Sequence, residues 1–434
     1  MKTLLRLLLP ALCLMTVACS TWSVGGSIPT RDGPEFAKAF PDASVLVSTT
    51  DVREVRALLE TVQLPATKEH HDQLIALVDE AEEFSAQHLL LLTEAVARDP
   101  DLSNCVIITS SQNGTTFHWT RGAGEYAHVI DELLLTGAKK VSDPSPKHFG
   151  QLLGRTQTKQ SLIALVRECE KVNDADDWDD GSASDLQAIL EESLIDEIKL
   201  ELCIDALLPA GRLDEERANV AVRSMAFDGG RKRLLTADYA RRSSLSPEEL
   251  LSHVVLMSFD EARTETVRQG APLLAKVDGH QVLDLVETAA FDTGKVEMVQ
   301  ALASNIEFQS SPEVIAIVEA AAFDSGKEKI LSALAAGSFL KLNGDDLVAF
   351  ANTAAFDSGR IDILKTLHPH VDSALSADEL RQVLHTCAFD SGRRQVVEIF
   401  VNELRRLPSS DREQILSCFA FSSDKKEARK ILDW

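Results

Sequence analysis

The 434-residue chain is sparing with the residues that brace small folds or carry familiar chemistry. It has only two Tyr and four Trp, and aromatics make up 5% of the whole. Its seven cysteines include no Cys-x-x-Cys pair, and the five beyond the N-terminal twenty residues are widely spaced, which excludes a disulfide scaffold and a cysteine-based zinc site. Basic side chains are in the minority, 44 against 68 acidic ones; the resulting formal charge of −24 repels polyanions and argues against nucleic-acid binding. Neither Gly-x-Ser-x-Gly nor His-Glu-x-x-His occurs. What the chain does have is 44% hydrophobic residues, enough to fold into a packed structure.

The N-terminus looks like an export signal. Lys2 and Arg6 precede a short apolar stretch, Leu4 to Val17, which is too short to remain as a membrane-spanning helix. It ends in Met15-Thr16-Val17-Ala18-Cys19-Ser20, which resembles the bacterial lipobox, with Thr16 where that motif usually has Leu. The resemblance implies cleavage before Cys19, acylation of Cys19 and, with Ser20 following, an outer-membrane address. On this reading residues 1–18 are a signal peptide and 19–29 a tether. An ordinary signal cut near Ala18 is the alternative. Of the five cysteines remaining, Cys387 and Cys418 fall at small-residue positions of a repeat and are expected to be buried.

That repeat dominates the C-terminal half. Phe-Asp-Ser-Gly-Arg/Lys, or a close variant, recurs with its Phe at Phe227, Phe259, Phe291, Phe323, Phe356, Phe389 and Phe421, at intervals of 32 or 33 residues. Thirteen residues before the first six stand Asp214, Ser246, Asp278, Ser310, Asn343 and Ser376, all good helix N-caps. In copies two to six a Glu, Gln or Asp follows three residues later, the pattern of a capping box. Val282, Leu285, Val286, Ala289 and Ala290 in copy three illustrate the apolar stripe of a half-buried helix. A second stripe, as in Ile330, Leu331 and Leu334, follows the Phe. Two short helices per 32 residues predict an α-solenoid of about seven hairpins, each stable only when stacked on its neighbours.

Each recurring residue has an expected duty. The Phe is expected to fill the hairpin junction, so that Phe323→Ala in a central copy destabilises more than Phe421→Ala. The Asp one residue later (Asp228, Asp260, Asp292, Asp324, Asp357, Asp390) is expected to cap the second helix of its own copy. Gly three residues after the Phe relieves backbone crowding. The basic residue four after the Phe (Arg231, Arg263, Lys295, Lys327, Arg360, Arg393, Lys425) forms a ladder, read as ion pairs with the Asp row, its own or the neighbouring copy's, rather than as an anion-binding edge. Copy seven has Ser422 in place of Asp. Motif, spacing and the final Phe-x-Phe-x-Ser make residues 214–434 resemble the family called domain of unknown function 4476; the resemblance implies no catalytic residue.

The preceding half differs in composition. Ser44 to Thr49, Cys105 to Ser110 and Thr115 to Trp119 have strand character, and Asp51 to Thr61, His70 to Arg98, Gly124 to Leu135 and His148 to Cys169 have helical character. This predicts a small α/β or α+β domain over 30–170, an acidic linker over 171–185 and helical repeats over 186–434. Gly150 to Thr156 only superficially resembles a P-loop, having three intervening residues and Arg for Lys. His70-His71 has no third ligand at metal spacing, and the Asp-rich stretch around Trp178 breaks the EF-hand pattern. No cofactor, metal or small-molecule substrate is identifiable. The expected function is a membrane-tethered, non-enzymatic scaffold that binds a protein partner in the bacterial cell envelope. The alternative is an enzyme whose site, in the N-terminal half, uses His118, His128 or Asp131, with the solenoid as a docking arm.

Overall fold

The computed structural model describes residues 40–60, 68–83, 85–97, 107–112, 115–120, 127–141, 145–172, 183–192, 195–308, 310–336, 340–371 and 375–434. The lipobox cysteine, Cys19, and most of the acidic stretch lie outside the described residues. The N-terminal elements are α1 (Ala43–Ser48), α2 (Val52–Glu60), α3 (Lys68–Glu80), α4 (Ala86–Ala97), the strands β1 (Ile107–Gln112) and β2 (Thr115–Thr120), α5 (Ala127–Ala138), α6 (Pro146–Arg155), α7 (Lys159–Val172) and α8 (Ala183–Glu192). A short α9 (Asp196–Leu200) then widens into a looser turn over Glu201–Leu207.

The predicted hairpins follow. They are α10 (Glu215–Ser224) with α11 (Asp228–Tyr239), α12 (Pro247–Val255) with α13 (Asp260–Gly270), and α14 (Gly279–Glu287) with α15 (Asp292–Leu302). Next come α16 (Ser311–Glu319) with α17 (Asp324–Ala335), α18 (Gly344–Asn352) with α19 (Asp357–Leu367), and α20 (Ala377–Thr386) with α21 (Asp390–Ile399). After α22 (Val401–Arg405), α23 (Ser409–Ser417) and α24 (Ser422–Leu432) close the array. First helices pack on first helices and second on second, as in α14–α16 and α15–α17, so the fold is a two-layer α-solenoid.

The capping logic of the array is largely local. Asp214, Ser246, Asp278, Asn343 and Ser376 each accept the backbone N–H three residues on. Reciprocal capping boxes form in copies three, five and six. Copies two and four depart from expectation: Glu249 turns instead to Arg242, and Ser310 donates its hydroxyl to Glu313 without accepting a cap bond.

A separate α/β domain is not what the described N-terminal residues show. Their helices pack in the same two rows: α2–α4–α6–α8–α10 in one, and α1–α3–α5–α7 running on to the 201–207 turn in the other. One antiparallel hairpin, β1–β2, with Ile107 opposite Thr120 and Gln112 opposite Thr115, stands between α4 and α5. Ser44–Thr49, expected as a strand, is helical: Asp42 caps it, its carboxylate accepting the Ser44 N–H at 2.8 Å, and Ala43 and Leu46 are buried on one side. Burial decides over the β-propensity of its valines. The expected single helices 70–98 and 148–169 are each broken in two. Ser85 caps α4 by accepting the His88 N–H at 3.1 Å, and Thr156–Thr158 separate α6 from α7. Cys203, Cys387 and Cys418 are buried free thiols, and burial pushes their acidities down, to a pKa of about 12 for Cys203 and about 11 for Cys387.

Candidate interaction surface

The Phe-Asp motif sits at the start of each second helix, where the chain enters from an extended residue. Phe227 to Phe421 occupy the N-cap position with β-region backbone and make no side-chain cap. Their rings do not fill the hairpin junction. All seven are turned outward, 66–74% exposed. The junction is filled by the residue two before each Phe: Met225, Met257, Ala289, Ala321, Ala354, Cys387 and Phe419, each 6% exposed or less. This overturns the expectation that Phe323→Ala would open a cavity.

The Asp does not cap its own helix. Its carboxylate reaches forward to the following copy and accepts the backbone N–H of that copy's Phe and of the residue before it. Asp292, for example, accepts from Ala322 at 2.8 Å and Phe323 at 2.9 Å, and Asp357 from Ala388 and Phe389, both at 2.9 Å. Asp228, Asp260, Asp324 and Asp390 do the same. These N–H groups precede the first turn of the helix and have no helical partner, so the carboxylate satisfies two orphan donors at the positive end of a helix dipole. The glycine three after the Phe is explained by the same contact. A Cβ on Gly359 would lie 2.5 Å from Asp324 Oδ2, and one on Gly326 2.6 Å from Asp292 Oδ2. Space for the neighbour's carboxylate, not a left-handed backbone, selects glycine there.

The basic residue completes the staple. Arg231, Arg263, Arg360 and Arg393 each pair with their own Asp through Nη1 at 2.8–3.2 Å. The same nitrogen donates to a carbonyl at the end of the next copy's first helix, such as Leu256 O at 2.8 Å and Thr386 O at 2.7 Å. Lys295 and Lys327 reach the corresponding Ala320 and Thr353 carbonyls at 2.7 and 2.6 Å. A cation on the last carbonyls of a helix is favourable for the dipole and satisfies acceptors left over at its end. The ladder is thus spent on joining copies. Lys425, in copy seven, follows Ser422 rather than the Asp of the other copies.

One copy of this device lies upstream of the repeats recognised in sequence. Asp196 accepts the N–H groups of Ala226 and Phe227 at 2.8 and 2.9 Å, and Lys199 donates to Ser224 O at 2.5 Å. Ile195-Asp196-x-x-Lys199 stands 32 residues before the motif of Phe227, with Ile in place of Phe. Allowing any apolar residue at the first position would have found it.

The residues considered for catalysis fall differently. His118 lies on β2 opposite Thr109. His128 and Asp131 line a wide, shallow depression of about 610 Å³ beside α5, together with Glu132, Thr158 and Ser161. Asp131 is engaged in structure: Oδ1 accepts the Gln157 N–H at 2.7 Å and Oδ2 the Thr158 hydroxyl at 3.0 Å, while Thr158 caps α7 through the Ser161 N–H. It holds the start of a following helix as the repeat Asp residues do. Among the described residues no cluster of three His, Cys, Asp or Glu side chains could hold a metal ion, and no helix is long and apolar enough to cross a membrane.

A polar cluster that sequence reasoning missed fills the seam between copies one and two. The Tyr239 hydroxyl is 2.8 Å from His253 Nδ1, and His253 Nε2 is 2.5 Å from Asn219 Oδ1. Arg242 bridges Asp238 at 2.6 Å and Glu249 at 2.5 Å. Burial pushes the His253 pKa down to about 4 and raises those of Tyr239 and Asp238, whereas Glu215 is raised chiefly by its neighbour Glu249. His253 is 1% exposed and neutral, hydrogen-bonded on both ring nitrogens. Asn219, Asp238, Tyr239, Arg242 and His253 differ from their counterparts in the other copies, so no periodic signal marked them; Glu249 alone stands at a recurring position, shared with Glu313 and Glu379.

Residues 341–432, the last three copies, match the model of the domain of unknown function DUF4476. No curated protein matches the chain. Among solved structures, a chain described under computational design of self-assembling cyclic protein homo-oligomers is similar at 10% identity, over 71% of this chain and 97% of that one, with a TM-score of 0.10. At that score the likeness carries no argument.

Proposed function

We propose that this protein is a non-enzymatic scaffold, lipid-anchored through Cys19 in the bacterial cell envelope, most simply at the outer membrane, and that its solenoid holds a protein partner on the edge formed by the seven phenylalanines. The observation that carries this reading is the division of labour within the motif. Asp, Gly and Arg/Lys are consumed in joining copies, whereas the Phe contributes little to the core and is 66–74% exposed in all seven copies. A row of large exposed apolar side chains is costly in water and is the usual mark of a docking surface. Aromatics are also the side chains from which interface hot spots are most often made.

The test is in-cell crosslinking and pull-down of the lipoprotein, comparing wild type with a variant carrying Phe291, Phe323, Phe356 and Phe389 all changed to Ser. These changes leave the staples and the core intact, so helicity and melting should match wild type. A protein captured by wild type and lost from the variant supports the reading. Capture that is equal in both removes the Phe edge from recognition. Changing the basic row instead would test stability, because those cations bind carbonyls of the next copy.

A further inference from the structure

We infer that the first occupant of this edge is a second copy of the same chain, docked antiparallel so that the two rows of rings interleave. The inference rests on the reading of the Phe row as a protein-docking surface and names the partner. Its argument begins with spacing. Packed helices lie about 8–10 Å apart, so rings at equivalent positions of successive copies recur at about that interval. A ring from a facing row placed midway is then about 4–5 Å from its neighbours on either side, the lower end of the 4.5–7 Å range over which aromatic pairs attract. To fill every gap, a partner needs an apolar group at the same interval, and a second solenoid has that spacing by construction.

Area and charge agree. An aromatic side chain offers about 150–250 Å². Seven rings at roughly seven-tenths exposure therefore present about 1,000 Å² per chain, against about 800 Å² per partner in a standard interface. The residue before each ring is an exposed Ala or Ser, such as Ser258, Ala290 and Ala322, which leaves room beside the ring for an incoming one. In the first six copies the motif's own charges are bonded within the chain, so over most of their length two edges can approach without burying an unpaired ion. An antiparallel pair is related by a two-fold axis and closes on itself rather than growing into a fibre.

The experiment is sedimentation velocity on the exported chain carrying Cys19→Ser, which cannot be acylated, up to about 100 μM, a concentration at which a standard-size interface should be populated. The expected result is a doubling of mass that strengthens with added salt, because screening relieves repulsion between two strongly acidic chains while leaving apolar contact intact. Phe291→Ser with Phe323→Ser and Phe356→Ser should return the mass to one chain at unchanged helicity. Arrangement is read by oxidative crosslinking. Phe323 is the central ring, so Phe323→Cys should crosslink to itself. Phe227→Cys should not, but should crosslink to Phe421→Cys in a mixture. A mass of one chain at the highest concentration, a dimer that survives the triple Ser variant, or self-crosslinking of Phe227→Cys each overturns the inference. If the chain is monomeric while a different protein is captured in a Phe-dependent way, this inference falls and the docking-surface reading stands; if neither occurs, both fall.

Discussion

The two halves of the solenoid pack their helices in the same two rows yet join them by different means. From Asp196 onward, one carboxylate and one cation per copy tie each hairpin to the next in a repeated geometry. Before it, junctions are made once each, by Asp131 beneath Gln157 and Thr158, and by His88 Nε2, 2.9 Å from Leu46 O. The comparison separates two jobs that are easily confused. Burying apolar stripes makes a stack of helices, and this the N-terminal half does with unrelated sequences. Repeating the same polar joint makes a stack with a fixed period, and only then does an exposed side chain such as the Phe become a row.

The comparison can be broken first at the core. Leu134→Ala in α5 and Ile317→Ala in α16 remove side chains that are 0% exposed, and each should cost about 2–5 kcal/mol in urea unfolding. If the halves form one stack, both changes should shift the same transition; a transition that responds to Leu134 alone would mark the N-terminal half as a separate unit. Next in size, Asp324→Ala leaves the Ala355 and Phe356 N–H groups without their acceptor and should cost about 1–3 kcal/mol. Asp131→Ala should lie in the same range, measured in the same way.

Gly359→Ala should cost about 1–3 kcal/mol, because its Cβ would press on Asp324. Gly229→Ala, at a helical glycine with open space around it, should instead raise stability by up to about 1 kcal/mol. A smaller effect concerns pH. The His253 pKa is about 4 folded and about 6.5 unfolded, so between these values the unfolded chain binds the extra proton. The contribution of His253 is therefore full above about pH 6.5 and is lost as pH falls toward 4. The melting temperature of wild type should fall more steeply over that window than that of His253→Gln. Smallest of all, Phe323→Ala should change monomer stability by less than about 0.5 kcal/mol, since a 72% exposed ring has little packing to lose.

Much of the repeat architecture was legible because periodicity repeats the evidence seven times. Asp278, Asn343 and Ser376 announce their helices, and Val282, Leu285 and Val286 their buried side. Direction was not legible. From sequence the Asp has a helix of its own beside it, and nothing in a single copy says that its carboxylate turns to the next. The Phe was misassigned for a related reason: a recurring aromatic suggests a core, yet Met225, Ala289 and Cys387 two positions earlier already fill that space. In the N-terminal half the strand-like composition of Ser44 to Thr49 is outweighed by tertiary burial, and Asp131 invites a catalytic reading because its acceptor role depends on Gln157 and Thr158, 26 and 27 residues away at the entry to α7.

The forward reach of the Asp has a consequence for how such a chain can grow over generations. Each unit carries the acceptor for its successor and the donors for its predecessor, and each joint spans about 31 residues from one unit to the next. Copying one unit in tandem recreates both halves of the joint at once, so gene duplication can lengthen the array from within without a compensating mutation. Copy seven, with Ser422 where the acceptor would be, carries only the donor half of the joint. The array therefore has a polarity in its ancestry as well as in its hydrogen bonds, because every copied unit brings with it the acceptor for the unit that follows.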